Sequence, residues 1–202
     1  MGEDHDYYPD RMKPNRKYGV IRQTGGMNMS THADKPRDRD EILARMATSR
    51  EAMLALFDQL GDAALTGPQD AAGWNAKDHF YHLAAWRQIQ LARLRGEPEY
   101  AAVGLPDQAN YDTLCDSEDF QAINEYIAGR GRALPPAEVR AEYVEADDAL
   151  RGEIERRDFA SLFAETRSDA SEGGPLVDSV IGNTYEHDPD HQAYILRIVG
   201  EQ

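Results

Sequence analysis

One cysteine, four lysines and no apolar run near the roughly 18 residues that cross a bilayer are what this 202-residue chain is short of. The lone Cys115 excludes an intramolecular disulfide, so stability must come from buried apolar surface, which a chain of this length supplies for one domain. The missing apolar run excludes a membrane-spanning helix. The start, Gly2-Glu3-Asp4-His5-Asp6, lacks the basic-then-apolar order of a secretory signal, and a cytoplasmic protein is expected. Positive charge is scarce too: 22 Lys and Arg face 37 Asp and Glu, for a net charge of −15. That field repels phosphate backbones and anionic headgroups alike, so neither nucleic acid nor a membrane surface is expected as a partner.

Residues 1–37 carry few aliphatic side chains and no sustained period beyond Tyr18-Gly19-Val20-Ile21, the composition of a disordered tail. Met27 and Met29 lie just before the composition changes and are candidate translation starts. From residue 38 to 202 the chain reads as one helical domain. Asp38 and Glu41 have capping-box spacing, and Ile42, Leu43, Met46, Met53, Leu54, Phe57 and Leu60 mark one face of a first helix. Asn75 and Asp78 start a second helix running to about Arg95, with His79, His82, Leu83, Trp86 and Leu94 along one side. Residues 96–116 show no period and read as a long crossover. Ser117 can cap a short helix from Glu118 to Ala128, stopped by Gly129. Pro135-Pro136 opens a third long helix ending near Arg157, and Gly173-Gly174-Pro175 precede a last one extending through Ile198. Four long helices with a long crossover between the second and third make an all-α four-helix bundle, a fold that builds metal sites from facing helices.

What the chain does have is a histidine pair in His187-Asp188-Pro189-Asp190-His191. Four residues apart on a helix, the two Cβ atoms lie about 5–6 Å from each other on one side, so both rings can reach one ion. A third imidazole comes from the second helix, where His82 ranks first and His79, nearer the helix start, second. Three histidines leave a coordination position open for water or substrate. Imidazole donors suit Zn²⁺, Ni²⁺ or Fe²⁺ without choosing among them. Asp78, Asn183 and Thr184 each lie one turn from one of these histidines and are candidates for orienting the rings, while Asp78 reads equally as a helix cap. Pro189 removes one helical hydrogen bond. Either it kinks the helix so that both rings converge, or the helix breaks there and a separate one follows. The bland alternative for all four histidines is ordinary hydrogen-bonded core residues. Cys115 sits among Asp112, Asp116 and Glu118, which raise a thiol pKa and argue against a nucleophile.

The stretch Trp74-Asn75-Ala76-Lys77-Asp78 followed by His82-Leu83, with Asn183-Thr184-Tyr185-Glu186-His187 and His191, resembles the DinB-like superfamily. Trp86 and Asn183-Thr184 resemble its ClbS/DfsB branch, although members of that branch often lack the second C-terminal histidine. The resemblance spans about residues 38–199 and implies a four-helix bundle in which His82, His187 and His191 form the site. It also implies a relation to transferases and isomerases that use a low-molecular-weight thiol, and to small hydrolases that disarm reactive metabolites.

Two functions follow. One is a metal-dependent enzyme acting on a small molecule, with Tyr100, Tyr111 and Trp86 forming a pocket and lid. The other is a non-catalytic sequestering bundle, with a structural metal or none; either would be a monomer or homodimer. The charge balance yields a direct expectation: at physiological salt the protein does not bind duplex DNA. Micromolar binding with a steep salt dependence in a fluorescence-anisotropy titration would contradict it.

Overall fold

Asp38 accepts a hydrogen bond from the Glu41 amide at 2.8 Å, and from that cap α1 runs over Arg39–Gln59. The computed structural model describes residues 36–117, 120–164 and 175–200, with the backbone at 14–15 and 20–21. Only the first half of the expected capping box forms at α1, because Glu41 spends its carboxylate on the Arg37 amide and the Arg45 guanidinium. After the short α2 (Asp62–Thr66), α3 (Ala76–Arg95) opens on a complete box, Asn75 and Asp78 each accepting from the other's amide. The expected tail falls largely outside the described residues; within it, Pro14–Asn15 (β1) pairs antiparallel with Val20–Ile21 (β2). No helix among the described residues is long and apolar enough to cross a membrane.

The crossover is more structured than its missing periodicity predicts. It contains α4 (Glu99–Ala102) and α5 (Gln108–Cys115, capped by Asp107), and the expected helix after it is α6 (Gln121–Arg132). Helix α6 does not stop at Gly129. It runs on through Gly131, where a Cβ would lie 2.6 Å from Cγ of Tyr81, so glycine there admits the α3 ring to the α6 backbone. Lys77 then satisfies the end of α6, its Nζ donating to the carbonyls of Gly131, Arg132 and Leu134.

Helix α7 (Pro136–Arg156) matches the third expected helix, and α8 (Phe159–Ala164) follows it. The fourth is not continuous: α9 (Leu176–Gly182) and α10 (Asp188–Gly200) are separated by turns over residues 183–187. The break precedes Pro189 rather than being caused by it. The Glu186 amide reaches back five residues to the Ile181 carbonyl, a widened turn. Pro189 falls in the first turn of α10, where its missing N–H leaves nothing unpaired.

Helices α1 and α3 each pack on both α7 and α10, and α6 covers the remaining side of α3. Sixteen of the 20 residues of α3 are consequently buried, which makes it the central helix. Two apolar clusters fill the bundle, one around Phe57, Phe80, Leu83, Trp86 and Ile195, the other around Ile42, Met46, Leu150, Ile154 and Val180. Between them lies a polar layer. Arg87, 1% exposed, donates from Nη2 to both carboxylate oxygens of Asp188 at 2.8 and 2.7 Å and from Nε to Asp147 at 3.1 Å. Tyr143 and Ser49 donate to the same Asp188 carboxylate at 3.2 and 2.8 Å, so one charge pair ties α1, α3, α7 and α10 together.

Removing the cation strands two buried carboxylates. Arg87→Met is expected to lose about 3–5 kcal/mol of stability, read as a lower urea midpoint; an unchanged midpoint would contradict the role given to this layer.

Candidate metal centre

From the α3 cap, His79 and His82 project toward the fourth helix, and Trp86 one turn further on lies against α6. On that helix the His191 amide donates to the His187 carbonyl at 3.4 Å, which preserves the one-turn relation between the two rings although His187 itself precedes α10. His82, His187 and His191 converge: one ring nitrogen from each lies within 4.8 Å of the others. The Nε2 atoms of His187 and His191 are 3.1 Å apart, and the ring of His82 is 5.2 Å from that of His187 and 4.7 Å from that of His191. All three side chains are buried.

Burial, which penalises the charged imidazolium, is the largest cause of their depressed basicity, reinforced by the crowding of imidazoles that cannot all be charged and, for His187 and His191, by Arg87. His82 and His191 are held well below the ordinary histidine range and His187 falls to about 3. The rings are therefore neutral, the state in which imidazole binds metal. Both ring nitrogens of His82 and Nδ1 of His187 are buried without a hydrogen-bond partner, although buried polar groups are nearly always satisfied. Three converging neutral imidazoles, two of them with unsatisfied nitrogens, fit a divalent ion with nitrogen ligands.

His79 takes a different place. Its Nδ1 lies 2.8 Å from Nδ1 of His191 and its Nε2 faces Oδ2 of Asp70 at 3.4 Å. Asp70 escaped the sequence reading, although its turn had a signal: aspartate bonds its own backbone two residues on, and Asp70 accepts from the amides of Ala72 and Trp74, with Gly73 at a positive φ of 78° closing the turn. The Trp74 indole, also not anticipated, packs 5.4 Å from His79 and 5.2 Å from His82 and donates to Glu125 of α6. Trp86 lies 6.2 Å from His82 and donates to Asn124 of α6.

The other expected partners make their hydrogen bonds elsewhere, although Oδ1 of Asp78 and Oδ1 of Asn183 are buried without a partner. Asp78 serves the α3 cap, Asn183 donates to Gln90 of α3, and Thr184 donates to the Val180 carbonyl. None of these hydrogen bonds goes to a histidine. Tyr111 donates to Glu99 rather than closing over the rings, and Tyr100 packs against the apolar core. The Cys115 thiol is pushed up to about 12, chiefly by burial. His5 and His32 lie outside the described residues.

A family model described as the DinB superfamily matches residues 45–195. Among solved structures, a Streptococcus pneumoniae protein superposes with a TM-score of 0.64 at 15% identity, over 81% of this chain and 91% of that one. An uncharacterised Escherichia coli protein gives 0.62 at 12%, over 84% and 96%. One from Clostridium difficile gives 0.60 at 14%, over 80% and 95%. At these identities the likeness is one of fold. No curated protein matches the chain.

The depressed histidines fix a pH dependence. Because their folded pKa values lie below the unfolded value near 6.5, the unfolded chain binds more protons as pH falls, and stability present above pH 6.5 is lost progressively below it. Metal-free protein should therefore lose stability between pH 7 and 5, with a slope approaching about 1.4 kcal/mol per pH unit for each such ring. His187→Gln should flatten that slope in urea titrations; a variant slope equal to wild type would contradict the assignment.

Proposed function

The chain belongs to the DinB superfamily, and on that premise we propose a metal-dependent enzyme acting on a small reactive metabolite, with His82, His187 and His191 holding one divalent ion. The observation that carries this reading is the meeting of three buried imidazoles at one point, where neither ring nitrogen of His82 nor Nδ1 of His187 has a hydrogen-bond partner. Members of the superfamily commonly bind metal, and these donors suit zinc, nickel or iron. An ion held by these three neutral imidazoles would leave a position open to a water or thiol and would lower its pKa toward neutrality. Both a hydrolase and a thiol-dependent transferase or isomerase are compatible with that chemistry.

The chain's own side chains supply the surroundings. The indoles of Trp74 and Trp86 shield the rings from bulk water, and Asn124 and Glu125 hold those indoles in place. Both anchors are on α6. Tyr194 backs the site, its ring stacked at 12° on that of His79.

A second reading has its own support. His82, His187 and His191 are each only 1% exposed, a degree of enclosure that suits an ion tying α3 to the fourth helix in a sequestering bundle of the ClbS/DfsB kind. Multiple turnovers of an electrophile by metal-loaded protein, with a low-molecular-weight thiol supplied, favour the enzyme; a single stoichiometric capture favours the sequestering protein.

Elemental analysis tests the ligand set. Alanine at His82, His187 or His191 should each abolish stoichiometric metal, whereas alanine at His5 or His32 should leave it bound. A wild type that holds no metal after reconstitution would reduce the three to core histidines.

A further inference from the structure

Asp70, in the turn before α3, divides its carboxylate between two tasks. Oδ1 accepts from the Ala72 and Trp74 amides at 2.8 and 2.9 Å, which leaves Oδ2 facing Nε2 of His79. On its other side His79 meets His191, Nδ1 to Nδ1 at 2.8 Å, and His191 in turn points Nε2 at His187. A row of one carboxylate and two imidazoles therefore leads inward to the cluster.

Each neutral imidazole carries one ring proton, and an ionised carboxylate can only accept. With the carboxylate at the outer end, the row has one consistent direction. His79 turns its Nε2 proton toward Asp70 across a 3.4 Å electrostatic contact that falls outside hydrogen-bond geometry, Nδ1 of His79 accepts, and His191 must carry its proton on Nδ1. The lone pair of His191 Nε2 then points into the cluster. The opposite direction would set the His79 lone pair against a carboxylate oxygen and turn an N–H of His191 inward.

We propose that Asp70 and His79 are positioning residues that hold His191 in the tautomer protonated at Nδ1, keeping Nε2 free as a donor to a divalent cation. The cation part rests on the metal reading above; the tautomer part stands without it. Partners behind a ligating histidine fix its tautomer and strengthen its donation, and their loss weakens metal affinity by about 10–100-fold.

Asp70→Asn is the informative variant, because its amide oxygen can keep both turn amides while its NH₂ replaces the acceptor facing His79. That reverses the row. Ring-nitrogen NMR of the full metal-free chain should place the His191 proton on Nδ1 in wild type and on Nε2 in D70N. Zinc competition against a chelator should show affinity weakened by about 10–100-fold with an unchanged circular-dichroism spectrum. The same His191 tautomer in both proteins, or a switched tautomer with unaltered zinc affinity, would overturn the proposal. If wild type binds no zinc, the metal reading fails, but the tautomer comparison still decides the positioning role. Should D70N not fold, His79→Asn, which keeps an acceptor near the place of Nδ1, should retain zinc better than His79→Leu; equal losses would overturn it.

Discussion

The buried pair of Arg87 and Asp188 is the constraint on which the site depends. The fourth helix of the bundle is broken over residues 183–187, where the Glu186 amide reaches back to Ile181 and those of His187 and Asp188 both to Thr184, so regular helical bonding does not carry register from α9 into α10. Apolar burial on either side is non-directional and would tolerate a sliding or rotating α10. A carboxylate clamped by a guanidinium, a phenol and a serine hydroxyl does not. Because Asp188 directly follows His187, the clamp that fixes where α10 starts also fixes where the two C-terminal imidazoles stand. Burying a charge pair is expensive, and a well-packed apolar replacement is often as stable; what the pair supplies here is position.

Helix α3 is the other half of the arrangement. From its capping box, His79 and His82 project toward the fourth helix and Trp86 lies against α6, while Arg87 reaches the charge layer. One helix therefore contributes an imidazole to the cluster, the imidazole behind His191, and the cation that locates the facing helix. Its closure by α6 follows from contacts a helix surface seldom offers, a Tyr81 ring lying on Gly131 and a lysine capping the α6 C-terminus. The price of so tight an enclosure is access, since α6 also anchors both indoles over the rings.

Much of this was legible in the residues. Caps and periodicity located α1, α3 and α7 because those signals are local, and the spacing of His82, His187 and His191 pointed to the cluster because one helical turn survives at the start of α10. A break in the last helix was one of the two readings of Pro189, but its place after Gly182 was hidden, since apolar positions from Val177 to Ile198 keep a helical period across a five-residue turn that merely widens. Passage of α6 through Gly131 depends on a distant tyrosine, and the link between Asp70 and His79 depends on how a loop folds back before α3. Asp78, Asn183 and Thr184 lay at plausible spacings yet bond nearby backbone or Gln90, because spacing along a helix does not say which neighbour competes for a polar group.

The central claim is that three imidazoles share one ion. Metal-edge X-ray absorption on zinc-loaded protein tests it most directly. The arrangement described here predicts one zinc per chain with three imidazole nitrogens at about 2.0–2.1 Å and a fourth ligand, either oxygen from solvent or sulfur from a thiol. A spectrum with oxygen neighbours alone, or with fewer than three imidazoles, would contradict it.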